Sequence, residues 1–314
     1  MRSPALIGVD WGTTNCRAMK IAADGTVIAE RAGPNGILNV ASGGFAAALE
    51  RQIGDWIAAS PGVAVLTCGM IGSRQGWVEA PYAPVPAGLD DLAKRLATAN
   101  AIGRSIAIVP GVSGPALSGG VDVMRGEETQ VFGALAASPP TASRRLICLP
   151  GTHSKWVLAE GDGSRWRIAR FATFMTGEVF AVLKRYSILG RLMQEAPNGE
   201  AAFDDGLVRA GGPGGLLHHL FMVRTEGLFD AKPPTALSPF MSGLLIGHEL
   251  RAALAWAGEG EVTVVGAPDL AGLYARALVG LGRRSEIVAS ETAGARGLLK
   301  IAAAARLLGH SGKV

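Results

Sequence analysis

The chain carries two short Gly-Thr turns, each placed between two apolar segments. The first is Gly12-Thr13-Thr14-Asn15, which follows an apolar run ending at Val9. The second is Gly151-Thr152-His153-Ser154, which follows a run ending at Leu149. Turns of this kind expose successive backbone N–H groups and hydroxyls, which suit phosphate oxygens. The two turns together therefore predict a pair of phosphate-binding sites for one polyphosphate.

Charged side chains stand beside both turns. Asp10 ends the first apolar run, where a carboxylate can hold Mg²⁺ through water. Pro150 occupies the matching place before the second turn, so that turn cannot supply a second carboxylate. Arg17 and Lys155 are the nearest cations. Because alternate residues of a strand face opposite ways, each of these two side chains faces either the phosphates or solvent.

The elements that must position these turns occur twice in the chain. Leu6 corresponds to Leu146, and the hairpin turn Asp24-Gly25 corresponds to Asp162-Gly163, at a nearly constant offset. Each copy therefore predicts three meandering strands followed by alternating helices and strands. This order indicates an α/β protein of two lobes, residues 1–125 and 126–314, with both turns facing a cleft between the lobes.

The apolar spacing predicts further helices and strands in each half. The second half also contains a mostly helical insert at about 176–258, and the last helix is expected to pack at the lobe interface. The predicted elements after the first copy are a helix carrying Phe45, Leu49, Ile53, Trp56 and Ile57, a strand over 63–67, a helix over 90–98 and a strand over 105–109. Those after the second copy are a strand over 262–265, a helix over 270–281, a strand over 286–288 and a helix over 294–308.

Composition excludes several classes of protein. Of 314 residues 48% are hydrophobic and 18% are charged, so a sizeable core is available. The net charge is only +4, and no basic stretch is interleaved with aromatics, which argues against nucleic-acid binding. No uncharged apolar run is long enough for a membrane span, and the N-terminus lacks a signal-peptide core. Three cysteines without metal-like spacing indicate reduced thiols and a cytoplasmic protein.

Six segments resemble those of the 2-dehydro-3-deoxygalactonokinase family, within the superfamily of sugar kinases, heat-shock chaperones and actin. They are DWGTTNCRA (10–18), GMIGSRQGWVEAPY (69–82), MRGEETQ (124–130), LPGTHSKWV (149–157), FMTGE (174–178) and SGLLIGHE (242–249). The resemblance covers essentially the whole chain. It implies a duplicated ribonuclease H-like (actin-like ATPase) fold with two lobes and an interlobe cleft.

The resemblance also implies an activity. It is the Mg²⁺-dependent transfer of the ATP γ-phosphoryl group to the 6-hydroxyl of 2-dehydro-3-deoxy-D-galactonate, in galactonate catabolism. By the same resemblance, the turns Gly12-Thr13-Thr14-Asn15 and Gly151-Thr152-His153-Ser154 would line the β- and γ-phosphates. Gly266-Ala267, after the strand over 262–265, would hold adenosine.

Glu127 and Glu128 follow Gly126 at a predicted helix start. In related sugar kinases a carboxylate on this connecting helix accepts the proton of the acceptor hydroxyl. Acidic residues also favour helix N-termini for electrostatic reasons alone. We prefer Glu127 as the base, because the first turn of the helix would project into the cleft, and the sequence leaves Glu128 open.

A carboxylate substrate calls for an arginine or a set of backbone donors. The candidates are Arg125 and Arg74, the latter in a Gly-rich loop with Gly72 and Ser73 that follows the strand over 63–67. Ligands of such sheets lie beyond the carboxyl ends of the strands. Trp77 and Tyr82 would then wall the pocket.

Two other functions remain open from the sequence. The chain could be a kinase of another small sugar acid or amino sugar, since a fold does not fix a substrate. It could also be a non-catalytic nucleotide switch of the actin type, although such a protein would not require the Gly-rich loop or the paired glutamates. The apolar faces of the helical insert leave a homodimer open as well.

Overall fold

The computed structural model describes residues 3–138, 142–162, 165–195 and 199–309. Strands and helices alternate along most of the chain, as an α/β protein requires. The strands are β1 (Leu6–Trp11), β2 (Cys16–Ile21), β3 (Val27–Gly33), β4 (Ala64–Cys68), β5 (Tyr82–Pro84), β6 (Ala87–Gly88), β7 (Ala97–Ala101), β8 (Arg104–Ile108), β9 (Gly111–Pro115), β10 (Val121–Met124), β11 (Arg144–Leu149), β12 (Ser154–Gly161), β13 (Trp166–Phe174), β14 (Val262–Gly266) and β15 (Ser285–Ala289). The helices are α1 (Phe45–Ala59), α2 (Leu89–Ala93), α3 (Glu127–Leu135), α4 (Thr176–Tyr186), α5 (Glu200–Arg209), α6 (Gly215–Leu228), α7 (Pro234–Ala257), α8 (Pro268–Gly280) and α9 (Ser290–Ala304).

The chain forms two compact units. Unit 1 comprises Met1–Arg145, Val157–Phe171 and Val288–Val314, and unit 2 comprises Leu146–Trp156 and Ala172–Ile287. These bounds differ from the predicted lobes, because the chain passes between the units more than once. The division at residues 125 and 126, and the place of the last helix at a lobe interface, stay predictions.

The central sheet of unit 1 has the strand order β3-β2-β1-β4-β8-β7. β1 and β2 are antiparallel from Leu6↔Ile21 to Trp11↔Cys16, and β1 runs parallel to β4. The apolar stripe of α1 that the sequence predicted is buried at all five positions. Packing that stripe removes the helix's apolar side chains from water and fixes it on the protein.

The hairpin turns after β2 and β12 are closed in a similar way. The Asp24 carboxylate accepts the Thr26 N–H at 2.9 Å, and the Asp162 carboxylate accepts the Arg165 N–H at 2.8 Å. Such Asx-type bonds favour turns. Gly163, the second residue of the predicted turn, lies outside the described residues. The shared strand–turn–strand order supports the predicted duplication.

Part of the prediction for unit 1 is wrong. The helix predicted over 90–98 ends at Ala93, and Thr98 lies in β7, which pairs antiparallel with β8. Alternate residues Ala99 and Ala101 are buried in that hairpin, and such non-local pairing decides the outcome over helix propensity. A three-stranded sheet in the order β10-β9-β5 was not predicted at all.

The third sheet has the order β15-β14-β11-β12-β13-β6. In unit 2, β11 runs parallel to β14 from Leu146↔Val262 to Cys148↔Val264. The predicted helical insert is confirmed as α4, α5, α6 and α7, and the core of unit 2 includes Phe203 and Leu250 from it. Within the described ranges, no helix is both long enough and apolar enough to span a membrane.

Candidate active site

Asp10 lies near the end of β1 in unit 1. Its backbone is paired with Arg17 on β2 and with Cys68 on β4. Burial raises the pKa of the Asp10 carboxyl to about 6; the charge of Arg17 acts in the opposite direction, and that of Glu127 adds to the rise. A raised pKa from burial beside another carboxylate is typical of functional sites.

Glycines bring the end of β1 close to the start of α3. Gly69 and Gly126 have φ of 92° and 107°, which L side chains rarely adopt. A Cβ on Gly126 would lie 3.2 Å from the Gly69 Cα, and one on Gly69 would lie 3.2 Å from Asp10 Oδ1. Only glycine at both positions lets Asp10 and the first turn of α3 share this space.

The two glutamates of that turn have different environments. Glu128 is fully buried; its carboxylate accepts the Gly126 N–H at 2.7 Å and the Thr129 hydroxyl at 3.0 Å. Burial, helped by the charge of Glu127, raises the Glu128 pKa to about 8. Glu127 is half-buried and accepts the Arg125 N–H at 3.0 Å. The exposed part of Glu127 is therefore the more accessible to a substrate.

Backbone hydrogen bonds hold the first Gly-Thr turn in place, and the side chains of the turn are exposed. The Gly12 N–H donates to Asn15 O at 2.9 Å, and the Gly36 N–H donates to Thr14 O at 2.9 Å. Thr13, Thr14 and Asn15 are exposed. An ordered turn with exposed hydroxyls suits phosphate oxygens.

Arg17 is occupied by two carboxylates of unit 1. Its guanidinium lies 3.3 Å from Glu30 and 2.8 Å from Glu291. Both ion pairs would compete with a phosphate for this cation. The structure therefore supports phosphate binding by Arg17 less well than phosphate binding by the turn itself.

The two candidate arginines for the substrate carboxylate differ strongly. Arg74 is 86% exposed and pairs with Glu79 at 2.9 Å. Arg125 is buried, donates from Nη2 to Ala80 O at 2.8 Å and stacks over the Tyr82 ring at 4.3 Å. Its Nε and Nη1 are buried without an acceptor among the described residues. Buried donors without acceptors are rare, and they point to a missing partner.

The other predicted residues of this loop have mainly local roles. A Cβ on Gly72 would lie 3.0 Å from Arg125 Nη1, so glycine makes room for that guanidinium. The Ser73 hydroxyl donates to Met70 O at 2.7 Å. Trp77 is half-buried against the core of unit 1. Tyr82 is exposed at 37% and contacts Arg125 as described above.

The second Gly-Thr turn, in unit 2, presents a different set of side chains. Thr152 and His153 are exposed, and His153 Nε2 contacts the Glu178 carboxylate. Ser154 is buried, with its hydroxyl 2.9 Å from the Tyr274 hydroxyl. Lys155 is also buried, and its Nζ lies 3.4 Å from His153 O. The Ser154 side chain therefore faces the core, and only its backbone is left for a phosphate.

An apolar cavity of about 180 Å³ lies beside this turn in unit 2. The predicted Gly266-Ala267 turn is nearby, since a Cβ on Gly266 would lie 3.7 Å from Pro150 Cδ. The sequence did not predict the cavity, although two of its walls come from the FMTGE and SGLLIGHE segments. Its lining residues are Gly151, Thr176, Gly177, Phe180, Ser242, Leu245, Ile246, Leu270, Leu273 and Tyr274.

Comparison with known proteins gives consistent matches. A family model described as 2-keto-3-deoxy-galactonokinase matches residues 10–301. A Rhizobium meliloti (strain 1021) protein named "Probable 2-dehydro-3-deoxygalactonokinase DgoK1" is 38% identical over 96% of each chain. The 2-dehydro-3-deoxygalactonokinase of Escherichia coli (strain K12) is 34% identical, over 94% of this chain and 97% of its own.

Solved structures agree with these sequence matches. A Sinorhizobium meliloti protein assigned as a 2-dehydro-3-deoxygalactonokinase has a TM-score of 0.85 and 36% identity, covering 95% of this chain and 98% of its own. An activator of 2-hydroxyisocaproyl-CoA dehydratase from Clostridium difficile, with bound ADPNP, has a TM-score of 0.53 and 13% identity, covering 95% of each chain. The second match concerns the fold alone. The predicted actin-like kinase fold class is confirmed.

Proposed function

The chain belongs to the 2-keto-3-deoxy-galactonokinase family and is a phosphotransferase with an alcohol acceptor; from this premise we propose its substrate and the roles of its residues. The reaction is transfer of the ATP γ-phosphoryl group to the 6-hydroxyl of 2-dehydro-3-deoxy-D-galactonate. The product is 2-dehydro-3-deoxy-6-phosphogalactonate, an intermediate of galactonate catabolism.

The observation that carries the substrate assignment is the buried guanidinium of Arg125. Two of its nitrogens lack an acceptor within the described part of the chain, while Tyr82 and Ala80 hold the group in place. A guanidinium pairs well with a carboxylate, which accepts two parallel hydrogen bonds. Arg125 therefore binds the carboxylate of the sugar acid, while Arg74 stays at the surface with Glu79.

The nucleotide contacts come from the glycine-rich turns and the cavity of unit 2. The cavity walls are mostly apolar, which suits a purine ring, since ligand pockets are mostly apolar with a few polar groups. The backbone of Gly151-Thr152-His153 and that of Gly12-Thr13-Thr14-Asn15 bind phosphate oxygens. Gly266-Ala267 lies close to Pro150 and contacts the adenosine moiety.

Asp10 is the residue that holds Mg²⁺. Its carboxylate is half-buried, and Gly69 leaves the space beside Oδ1 free of a side chain. Mg²⁺ commonly takes one or two carboxylates, several waters and substrate phosphates, so a single carboxylate fits it. Within the described ranges, no three His, Cys, Asp or Glu side chains form a metal-holding group. When bound, Mg²⁺ neutralises developing charge on the phosphates.

Glu127 accepts the proton of the 6-hydroxyl as the hydroxyl oxygen attacks the γ-phosphorus. Its position in the first turn of α3 and its partial exposure support this role. Glu128 is buried and hydrogen-bonded to Gly126 and Thr129, so it fixes the start of the helix. Phosphoryl transfer needs mainly positioning and charge stabilisation, which this division of roles supplies.

The substrate assignment is tested by pairing Arg125→Met with Arg74→Met as its matched control. ADP release is measured with Mg-ATP and four acceptors: 2-dehydro-3-deoxygalactonate, its gluconate epimer, galactonate and N-acetylglucosamine. Loss of two charge-assisted hydrogen bonds should raise the KM for the sugar acid about 100-fold or more in Arg125→Met, and little in Arg74→Met. If the wild type prefers another acceptor, the protein is still a kinase, but the proposed substrate is wrong. Equal effects of the two arginine variants would contradict the role of Arg125.

A cytoplasmic location and a homodimer remain predictions. The described cysteines are free and buried, which supports a reducing compartment.

A further inference from the structure

Glu249 is a buried carboxylate that the proposed reaction does not use. It lies on α7 at the end of the SGLLIGHE segment and is only 3% exposed. Trp156 Nε1 donates to its Oε1 at 2.8 Å, and the Tyr274 hydroxyl donates to its Oε2 at 2.6 Å. Ser154 and Thr176 also hydrogen-bond to it. One side chain thus joins residues of β12, α4 and α8 to α7, and each of these contacting residues belongs to unit 2.

The donors around Glu249 match the capacity of a carboxylate. An ionised carboxylate has about four lone-pair sites, and four neutral donors face this one. Burial raises the Glu249 pKa, while the four hydrogen bonds act against that rise. Burying such a group costs free energy that well-packed apolar residues would avoid. The presence of this buried carboxylate therefore indicates that it orders the groups around it rather than that it stabilises the fold.

Two of the four donors adjoin the second Gly-Thr turn. Ser154 is the last residue of that turn and the first residue of β12. Thr176 begins α4, and two residues later the Glu178 N–H donates to Thr152 O at 2.9 Å. Between them, a Cβ on Gly177 would lie 2.3 Å from Gly151 O, so α4 packs directly on the turn.

The same network reaches the apolar cavity. Thr176 and Tyr274 both bind Glu249 and both line the cavity beside Gly151. Displacement of the Glu249 carboxylate would therefore disturb one end of the turn and two walls of the cavity together.

We propose that Glu249 is the positioning residue of the nucleotide site, holding the second Gly-Thr turn and the cavity walls in one arrangement before ATP binds. The inference rests on the proposed function, because it assigns the turn and the cavity to ATP. Glu249 touches no reacting atom. It acts through Ser154, Thr176 and Tyr274, and a preformed site binds ligand without the cost of ordering it.

The test compares Glu249→Gln and Glu249→Leu with Tyr274→Phe, which removes one hydroxyl from the network. Leu250→Val is the matched control, since Leu250 is the adjacent buried residue of α7 and packs in the core of unit 2. Steady-state kinetics give the KM for ATP and for the sugar acid separately. Calorimetry with ADP gives the binding constant directly, and a thermal melt of each variant checks folding.

The KM for ATP and the ADP dissociation constant should rise about 10-fold in Glu249→Gln, which keeps one acceptor oxygen. They should rise up to about 100-fold in Glu249→Leu, because small displacements of positioning groups have effects of this size. Tyr274→Phe should shift both in the same direction. In these variants the KM for the sugar acid should stay within about 2-fold of wild type, and Leu250→Val should lower only the melting temperature.

Two results would overturn the inference. One is a wild-type KM for ATP in both folded Glu249→Gln and Tyr274→Phe. The other is a parallel rise of both KM values, which would indicate general loosening of the protein. Failure of the proposed function is seen separately, as the absence of sugar-acid-dependent ATP turnover in the wild type.

Discussion

Glu127 and Glu128 are adjacent in the chain, yet their carboxylates meet different surroundings. Glu128 is buried with two donors, whereas Glu127 is half-buried at the open side of the helix start. We expect Glu127→Gln to lower kcat about 10²- to 10⁴-fold with little change in either KM, because a general base acts in the transition state. Acid-quenched phosphoryl-transfer rates at saturating ATP and sugar acid measure this loss.

Glu128→Gln is the matched control for that experiment, since it makes the same carboxyl-to-amide change in the neighbouring residue of the same helix turn. Its kcat should fall much less, because the amide can still accept a hydrogen bond near Gly126 and Thr129. A larger loss in Glu128→Gln than in Glu127→Gln would reverse the two roles.

Glu128 also links protein stability to pH. Its pKa is raised by burial from an ordinary 4.5 to about 8, so the native state holds a proton that the unfolded state has released. Stability from this group is full below about pH 4.5 and is lost as pH rises toward about 8. Urea titrations at pH 5 and pH 8 should therefore show a smaller pH-dependent loss of unfolding free energy in Glu128→Gln than in wild type. Equal losses in the two proteins would show that Glu128 does not carry this dependence.

At this scale the sequence proposed the residues of the candidate site but could not predict their surroundings. Asp10 was proposed from its place at a strand end, and the two glutamates from a helix start together with the resemblance to related sugar kinases. The buried Arg125 nitrogens, which have no acceptor among the described residues, and the inward hydroxyl of Ser154 were not foreseen. Both depend on which residues distant in the chain pack nearby, here Ala80 and Tyr274.

Helices α3 and α9 approach until their backbones touch. A Cβ on Gly133 would lie 1.7 Å from Ala293 O, and one on Gly297 would lie 1.8 Å from Thr129 O. We expect Gly133→Ala to lower the free energy of unfolding by about 1–3 kcal/mol or more, because the helices must move apart. Chemical denaturation followed by circular dichroism measures this change.

Gly294→Ala in α9 is the control for helix packing. The space beside Gly294 is open, so the added methyl meets no neighbour within 4 Å. Alanine in a helix interior is favoured over glycine by about 0.5–1 kcal/mol, and this variant should be slightly stabilised. A destabilised Gly294→Ala together with a neutral Gly133→Ala would contradict this description of the two helices.

The elements with strong periodicity were predictable, and the short ones were not. The five apolar residues of α1 repeat at helical spacing, and the structure buries all of them. β5 and β6 have only three and two residues, too few for any pattern to be read. The first two residues of β7, Ala97 and Thr98, were assigned to a helix because the pairing of β7 with β8 cannot be read from local sequence.

For the whole molecule, the repeated strand–turn–strand order and the six family segments were enough to predict the fold class. The bounds of the compact units were not, because residues 157–171 and 288–314 join the N-terminal residues in unit 1. Because the chain returns to unit 1 after leaving it, the amino-acid composition shows no shift at the boundaries between the units.

The competing function, a nucleotide switch, also concerns the whole molecule. A kinase uses ATP much faster when an acceptor is bound, whereas a switch hydrolyses ATP slowly at a rate that does not depend on an acceptor. We expect 2-dehydro-3-deoxygalactonate to raise ADP release at least about 100-fold over ATP alone, since acceptor positioning supplies much of the rate. Coupled-enzyme assays with and without the sugar acid measure this ratio. A ratio near one would favour the switch.

The three buried cysteines can report local unfolding of this protein. Cys16 and Cys68 lie in unit 1 and Cys148 in unit 2; all are buried, and burial raises the pKa of Cys16 to about 12 and those of the other two well above the usual value. A thiol reagent reacts with the exposed thiolate. Alkylation followed by peptide mass spectrometry would therefore measure how fast each unit unfolds locally to expose its thiols, without any introduced label.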